Sequence, residues 1–222
     1  MHYTPTPYED RREAGKALAE KLVEYMGAHP VIIGLPRGGV VVADEIAKRL
    51  KSDLDVIIAG KLRAPFNPEL AIGAITEEGL VYLNALAIKS MHISNDYVQK
   101  EKRARLAAIT ERLKIYRTVK KKAPLTNRTV ILVDDGLATG STMISAIQAA
   151  HASGAKRIIV AVPGGPLDTV EHIRKMEEVT KVVCPVIPDI FFAVSQLYLD
   201  FRQTEDEEVI EILKESEKRK KL

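Results

Sequence analysis

The chain has few cysteines, no long apolar run and little excess charge of either sign. Its 222 residues include a single cysteine, Cys184, so no disulfide can form within the chain, which fits a reducing compartment. No apolar run approaches the roughly 18 residues that a membrane-spanning helix needs, and the first residues lack the cationic start and apolar core of a signal peptide. The sequence therefore predicts a cytoplasmic protein without a membrane partner, in which Cys184 is a buried structural thiol.

The composition excludes several classes of ligand site. Lys and Arg number 33 against 30 Asp and Glu, a net charge of +3, so any anion site must be local. The five histidines show no spacing typical of metal ligands, and no zinc site is expected. With 46% hydrophobic and 28% charged residues, the chain has the composition of a globular protein, and we expect one domain over residues 1–222.

Apolar runs typical of buried strands alternate with amphipathic segments. Strands are predicted at 31–35, 55–62, 130–133, 157–163 and 181–187, and helices at 9–27, 40–50, 95–120, 142–154, 167–178 and 204–222. This alternation predicts a parallel sheet with helices on both faces and right-handed crossovers.

Two further segments interrupt the alternation. Residues 63–70 contain two prolines and are predicted to be a loop, and the segments on either side of Glu77-Glu78-Gly79 are predicted to form a hairpin. The predicted fold is thus an α/β core with a hairpin or lid inserted at 63–95 and a small hood at 186–222.

The most informative motif follows the strand at 130–133, where two acids and a loop of small residues open a helix. Adjacent carboxylates, here Asp134 and Asp135, can accept hydrogen bonds from the vicinal hydroxyls of a sugar. Free amides and hydroxyls at a helix N-terminus favour a phosphate monoester, and glycines permit close backbone approach. The plainer alternative is a turn and a helix cap. The candidate binding residues of this loop are Gly136, Leu137, Ala138, Thr139, Gly140, Ser141 and Thr142.

A second candidate anion site follows the first strand. The turn Pro36-Arg37-Gly38-Gly39 exposes backbone amides, and the forked guanidinium of Arg37 suits a diphosphate. Lys61 and Arg63 follow the second predicted strand and could reach the same diphosphate. The alternatives are a tight turn and solvated surface charges.

Residues 130–142 resemble the signature of type I phosphoribosyltransferases, which bind 5-phosphoribosyl 1-pyrophosphate (PRPP). The resemblance implies that Asp134 and Asp135 contact the ribose 2′ and 3′ hydroxyls, that residues 138–142 hold the 5′-phosphate, and that the turn at 36–39 belongs to a pyrophosphate loop, which often contains a cis peptide. A narrower group, the bacterial and archaeal predicted phosphoribosyltransferases of unassigned acceptor, is similar to this chain in the blocks DRREAGKALAEKL, GLPRGGVVVADEIA, KLRAPFNPELAIGAI, VILVDDGLATGSTM and QLYLDFRQTEDEEV.

One departure from that narrower group concerns the diphosphate residues. The group usually has Arg-Lys-Leu-Gly where this chain has Gly60-Lys61-Leu62-Arg63. Lys61 is therefore better supported than Arg63 as a diphosphate ligand.

The activity implied by the resemblance is transfer of the phosphoribosyl group to a nucleobase or related nitrogen acceptor, with release of pyrophosphate, in nucleotide metabolism. Asp134, Asp135, Arg37 and Lys61 would be the catalytic residues. Mg²⁺ is the expected cofactor, bridging the diphosphate and contacting Asp134 or Asp135 through water. The resemblance also implies a homodimer. The alternative is a regulatory protein that binds PRPP without turnover.

The sequence does not identify the acceptor. Ala138 stands where enzymes acting on hypoxanthine or guanine have an aspartate, so the resemblance favours branches with alanine, which include the adenine and uracil enzymes. Four aromatic residues near the end of the chain could stack on a base or simply pack in the core. They are Phe191, Phe192, Tyr198 and Phe201, with Asp200 among them.

The predicted helix at 95–120 and the residues after it are strongly basic, which admits a nucleic-acid surface. A solvated helix face is favoured because no aromatic interleaving accompanies the charge, so a nucleic-acid partner is not expected. The basic residues are Lys100, Lys102, Arg103, Arg105, Arg112, Lys114, Arg117, Lys120, Lys121 and Lys122.

Overall fold

The computed structural model describes residues 6–58, 60–65, 67–77 and 79–219, and leaves the side chains of 67–71 undescribed. The strands are β1 (Val31–Gly34), β2 (Asp53–Val56), β3 (Gly60–Ala64), β4 (Asn67–Ile75), β5 (Val81–Leu83), β6 (Thr129–Val133), β7 (Arg157–Ala161) and β8 (Val179–Val183). The helices are α1 (Arg11–Glu20), α2 (Gly38–Leu50), α3 (Ala85–Ser90), α4 (Asn95–Arg117), α5 (Ser141–Ala152), α6 (Leu167–Arg174) and α7 (Asp206–Arg219). None of these helices combines the length and apolarity needed to span a bilayer.

A parallel five-stranded sheet in the order β2-β1-β6-β7-β8 carries the fold. Alternate residues of each strand enter opposite cores, as the pleat requires. Ile32, Ile131 and Ile159 pack with residues of α1, α2 and α7 in one core, whereas Leu132 and Val160 pack with α5 and α6 in the other. The predicted α/β fold with helices on both faces is confirmed.

The segment after β2 differs from the prediction. The expected single strand at 55–62 is wrong, because β2 ends at Val56 and Gly60 begins a strand of a second, antiparallel sheet in the order β3-β4-β5. The expected loop at 63–70 is also wrong, because most of it belongs to β3 and β4. Pro68 is tolerated in β4 because β5 pairs only with Gly73 to Ile75, which leaves the start of β4 with one neighbouring strand.

The predicted hairpin around residue 77 is formed by β4 and β5, and Glu78 lies outside the described residues. The sequence missed α3, whereas α4 was predicted. Ser94 caps α4, since its Oγ accepts a hydrogen bond from Tyr97 N at 3.3 Å. The first predicted helix ends early, with a 3₁₀ turn at Val23–Tyr25, and the helix predicted at 167–178 ends at Arg174.

The last third of the chain returns to the beginning. Tyr8 N donates to Leu197 O and Leu199 N donates to Tyr8 O, both at 2.8 Å, so the segment before α1 pairs with the end of a 3₁₀ helix at Val194–Leu197. This 3₁₀ helix and α7 occupy the region predicted as a hood. Cys184 is buried as expected, and burial raises the pKa of its thiol to about 12.

Candidate functional site

The two candidate loops meet at the carboxyl edge of the parallel sheet. Strands β1 and β6 are neighbours with Gly34 opposite Val133, so the residues that follow each strand leave the sheet side by side. Leu35 N donates to Val133 O at 2.8 Å, which extends the pairing into the loops. Ligands of such sheets bind at this edge, and the structure brings Pro36, Arg37 and the acids after β6 together there.

Glycine is required where the loop after β1 passes Asp134 and Asp135. A Cβ on Gly38 would lie 2.0 Å from Asp135 Oδ2, and a Cβ on Gly39 would lie 2.8 Å from the Cα of Asp134. No side chain fits these gaps without displacing the acids. The peptide bond between Pro36 and Arg37 is cis. Backbone of the first loop therefore lies directly against the tip of β6.

The two acids have different surroundings, although their sequence positions suggested equal roles. Asp134 Oδ1 accepts a hydrogen bond from Asp135 N at 2.9 Å. Burial raises the pKa of Asp134 well above its usual range, and the charge of Asp135 raises it further, against a smaller opposing effect of Arg11. Asp135 accepts from Arg11 Nε at 2.8 Å, and its carbonyl accepts from Tyr198 Oη at 2.6 Å.

Arg11 is a residue of this site that sequence reasoning missed. Its Nη1 donates to Arg202 O at 2.7 Å, and its guanidinium carbon lies 4.1 Å from the centre of the Phe201 ring. The side chain is only 10% exposed. One signal was present: Arg11 shares the buried face of α1 with Ala14 and Leu18, where an arginine needs a partner.

The phosphate-loop candidates lie at the start of α5. Gly140 caps the helix with φ of 72°, and Thr139 Oγ1 lies 3.1 Å from Ser141 Oγ. The loop is anchored at its base, since buried Leu137 donates through its amide to Gly164 O at 2.9 Å and Thr169 Oγ1 donates to Ala138 O at 2.9 Å. Its outer residues, Ala138, Thr139 and Thr142, are exposed, so the helix N-terminus is open to solvent.

A basic cavity of about 450 Å³ lies beside this loop. Four hydroxyl residues line it, namely Thr139, Ser141, Thr142 and Ser145. The same cavity is lined by four basic residues, Lys61 and Arg63 from β3 and Arg105 and Arg112 from α4. Two arginines of the basic helix thus lie at the site, which the helix composition alone did not reveal.

Arg37 has acidic neighbours at the start of α7. Its Nη1 lies 3.4 Å from Glu205 Oε2 and 3.9 Å from Asp206 Oδ2. Asp206 also accepts a hydrogen bond from Tyr116 Oη. A diphosphate would compete with these carboxylates for Arg37.

The aromatic residues of the hood divide into packing and exposed groups. Tyr198 is buried and stacks on Phe201 with 5.2 Å between ring centres, whereas Phe192 is 89% exposed. The loop that holds Phe192 is organised by Gln196, whose Oε1 accepts from Phe192 N at 2.7 Å. Val194 packs so closely on Gly136 that a Cβ there would lie 2.6 Å from its Cγ1. The hood therefore rests on the β6 loop.

A metal site made wholly of protein ligands is not visible in the described residues, where no three His, Cys, Asp or Glu side chains cluster. Mg²⁺ does not need one, since it keeps several waters and takes phosphate oxygens of its substrate. The adjacent carboxylates of Asp134 and Asp135 at the edge of the sheet fit this mode of binding.

The parallel sheet, the two acids at its edge and the open helix N-terminus define a type I phosphoribosyltransferase fold. Residues 8–202 match the phosphoribosyl transferase domain, and the chain belongs to this family. Two proteins from strains of Mycobacterium tuberculosis, provisionally named phosphoribosyl transferases, are 42% identical over 206 residues, which is 93% of this chain and 46% of theirs. The chain thus spans about half the length of these relatives.

The crystal structure of the protein TT1426 from Thermus thermophilus is similar to this chain along nearly its whole length. The two are 41% identical with a TM-score of 0.89, over 95% of this chain and 99% of that one.

Proposed function

We propose that the chain transfers the 5-phosphoribosyl group of PRPP to a nitrogen acceptor and releases pyrophosphate. This proposal rests on the loop between β6 and α5 at the carboxyl edge of the parallel sheet. Two acids lie at one end of this short loop, and an open helix N-terminus lies at the other. Asp134 and Asp135 would accept hydrogen bonds from the ribose hydroxyls. The amides and hydroxyls from Ala138 to Thr142 would hold the 5′-phosphate.

In this reaction the bond from ribose C1 to the diphosphate oxygen breaks, and its electron pair leaves with pyrophosphate. The acceptor nitrogen donates its lone pair to C1, and the acceptor then loses a proton. Cationic groups are needed where the leaving group gains charge. Arg37 and the amides of Gly38 and Gly39 would supply them from the first loop, and Lys61 from β3. Mg²⁺ bound to the diphosphate would neutralise further charge on it.

Water competes with the acceptor, so the site needs a cover. The segment 63–95, which contains most of the antiparallel sheet and α3, is the candidate lid. Its first residue, Arg63, lines the cavity beside the phosphate loop.

A nucleobase is the acceptor class that the hood favours. Phe192 presents an exposed ring at a loop that packs on Gly136, and a flat base could stack on it. Ala138 offers no side chain to accept a proton from the acceptor, and its carbonyl is engaged by Thr169. An acceptor that needs no carboxylate base at this position is therefore expected.

The test is pyrophosphate release from PRPP and Mg²⁺, screened over purines, pyrimidines and small amines. We expect release with one acceptor and a loss of at least about 100-fold in Asp135→Asn, because the variant removes a charged sugar ligand. Asp168→Asn, an exposed acid in the first turn of α6, is the matched control and should retain activity. Equal activity in both variants would contradict the assignment.

Binding without turnover is the alternative outcome. If calorimetry detects binding of PRPP but PRPP is consumed with none of the acceptors, the chain is a PRPP sensor. The absence of any heat with PRPP and Mg²⁺ would refute both functions. The homodimeric state and the cytoplasmic location stay predictions.

A further inference from the structure

We infer that Arg105 and Arg112 of helix α4 bind the phosphate that the first turn of α5 holds, so that α4 forms a wall of the donor site. The inference rests on the proposed function in one respect, because it identifies this phosphate as the 5′-phosphate of PRPP. The two arginines line the same 450 Å³ cavity as Thr139, Ser141 and Thr142. That volume lies within the ordinary range for small-molecule sites.

Helix α4 is fixed in place by contacts with β3. Glu101 Oε1 accepts a hydrogen bond from Arg63 N at 3.2 Å, and Tyr97 Oη donates to Arg63 O at 3.1 Å. Both backbone groups of Arg63 are thus tied to α4, so any lid movement of segment 63–95 would lie beyond Arg63. The wall that carries the arginines is therefore built into the fold.

Gly60 makes the close approach of α4 possible. A Cβ on Gly60 would lie 2.7 Å from Ile109 Cδ1 and 3.2 Å from Arg105 Cβ. Ile109 is buried, and close packing of the core resists displacement of its side chain. A residue with a side chain at position 60 would push α4 and Arg105 away from the cavity.

The charges of the two arginines are balanced differently. Glu101 lies 3.0 Å from Arg105 Nε, and its carboxylate offsets that charge. Arg112 is exposed and forms no ion pair with another described residue. The start of α5, which carries a partial positive charge, lines the same cavity. Like charges gathered around a cavity repel one another, and a bound dianion would remove that cost.

The chemistry of the cavity lining matches a phosphate monoester. Guanidinium groups donate paired hydrogen bonds to phosphate oxygens, and amides and hydroxyls at a helix N-terminus can donate to the same group. Other basic residues of α4 are engaged elsewhere: Lys114 pairs with Glu111, and Arg117 binds Asp55 and Glu77. The basic composition of the helix thus has several separate causes, of which phosphate binding is one.

The test is a calorimetric titration with ribose 5-phosphate of the wild type, Arg105→Ala, Arg112→Ala and Arg103→Ala. Arg103 is an exposed arginine of the same helix that does not line the cavity, so it controls for net charge. Loss of a charge-assisted hydrogen bond costs about 1.5–3 kcal/mol, which is roughly 10-fold or more in the dissociation constant. We expect that loss in Arg105→Ala and Arg112→Ala, and a change below about twofold in Arg103→Ala.

Two controls accompany the titration. Arg112→Lys keeps the charge but loses the paired hydrogen bonds, so its affinity should fall between those of the wild type and Arg112→Ala. Thermal unfolding of each variant separates lost binding from lost structure. Equal affinities in Arg112→Ala and Arg103→Ala, or a wild type that binds no ribose 5-phosphate, would overturn the inference.

Different results would refute the role of α4 and the proposed function. Consumption of PRPP that is unchanged in both cavity variants would leave the function intact and remove the role of α4. Ribose 5-phosphate binding that depends on Arg112, in a protein that neither binds nor consumes PRPP, would support the cavity and refute the transferase.

Discussion

Arg11 Nε donates to Asp135 Oδ2 at 2.8 Å, and this ion pair joins the first helix to the acid at the tip of β6. The pair lies on Gly38, whose missing side chain leaves room for both groups. Arg11 Nη1 donates to Arg202 O. One guanidinium thus connects α1, the tip of β6 and the segment around Arg202.

Removing this guanidinium should destabilise the protein and weaken PRPP binding. In Arg11→Ala the carboxylate of Asp135 keeps its partly buried position without a partner, a loss that typically costs about 3–5 kcal/mol. Chemical denaturation measures the free energy of unfolding. Arg12→Ala is the control, because Arg12 is 42% exposed and its ion pairs should contribute less than about 1 kcal/mol. Similar losses in the two variants would contradict the role given to Arg11.

Asp134→Asn should be more stable than the wild type at neutral pH. Burial raises the pKa of Asp134 above its value of about 3.9 in the unfolded chain. The folded state therefore binds a proton that the unfolded state releases, and wild-type stability falls as pH rises from about 4 through the raised pKa. Asparagine carries no charge, so the advantage of the variant should grow over this range and vanish below about pH 4. Melting temperatures measured across pH test this, and a constant difference would contradict it.

Gly38→Ala should disturb the acids without unfolding the chain. The new methyl group would lie 2.0 Å from Asp135 Oδ2 and 2.7 Å from Arg11 Nε, so the ion pair must move. Overpacking of this kind costs about 1–3 kcal/mol. Gly27→Ala is a useful control, since its Cβ meets nothing within 4 Å although its φ is 84°. Both variants should lose some stability, but only Gly38→Ala should weaken PRPP binding in calorimetry.

Arg117→Ala should loosen the attachment of the antiparallel sheet to the parallel one. Arg117 Nη1 lies 2.7 Å from Asp55 in β2, and its Nη2 lies 2.8 Å from Glu77 after β4. Asp55 is 1% exposed, so it would be left as an uncompensated buried acid, at about 3–5 kcal/mol. Lys114→Ala, which breaks an exposed pair with Glu111, should cost below about 1 kcal/mol. Hydrogen exchange should also become faster in β4, and unchanged exchange there would argue against this role.

The parallel core could be predicted because its three central strands, β1, β6 and β7, are mostly apolar runs bounded by turns. The same signal failed between residues 55 and 62, since an apolar run does not reveal where the chain leaves one sheet for another. The break falls between Val56 and Gly60, and both neighbouring strands bury apolar residues. Only the pairing partners distinguish them, and those depend on the tertiary fold.

The candidate site divides in a similar way. The loops at 36–39 and 134–142 are continuous in sequence, so their residue types and spacing were sufficient to propose them. Arg11 and Arg105 come from helices far away along the chain, and their positions at the site depend on how those helices pack. For Arg11 the buried helix face gave a usable signal. For Arg105 the surrounding basic residues hid it.

The pairing of Tyr8 with Leu197 and Leu199 bears on how the chain acquires its binding site during folding. This pairing and the contact from Arg11 to Arg202, which spans 191 positions, close very long loops. Such contacts form slowly, because the entropy of loop closure must be overcome before they contribute. Refolding should therefore regain helical signal and core burial before it regains affinity for PRPP, with ligand binding as the last property to return.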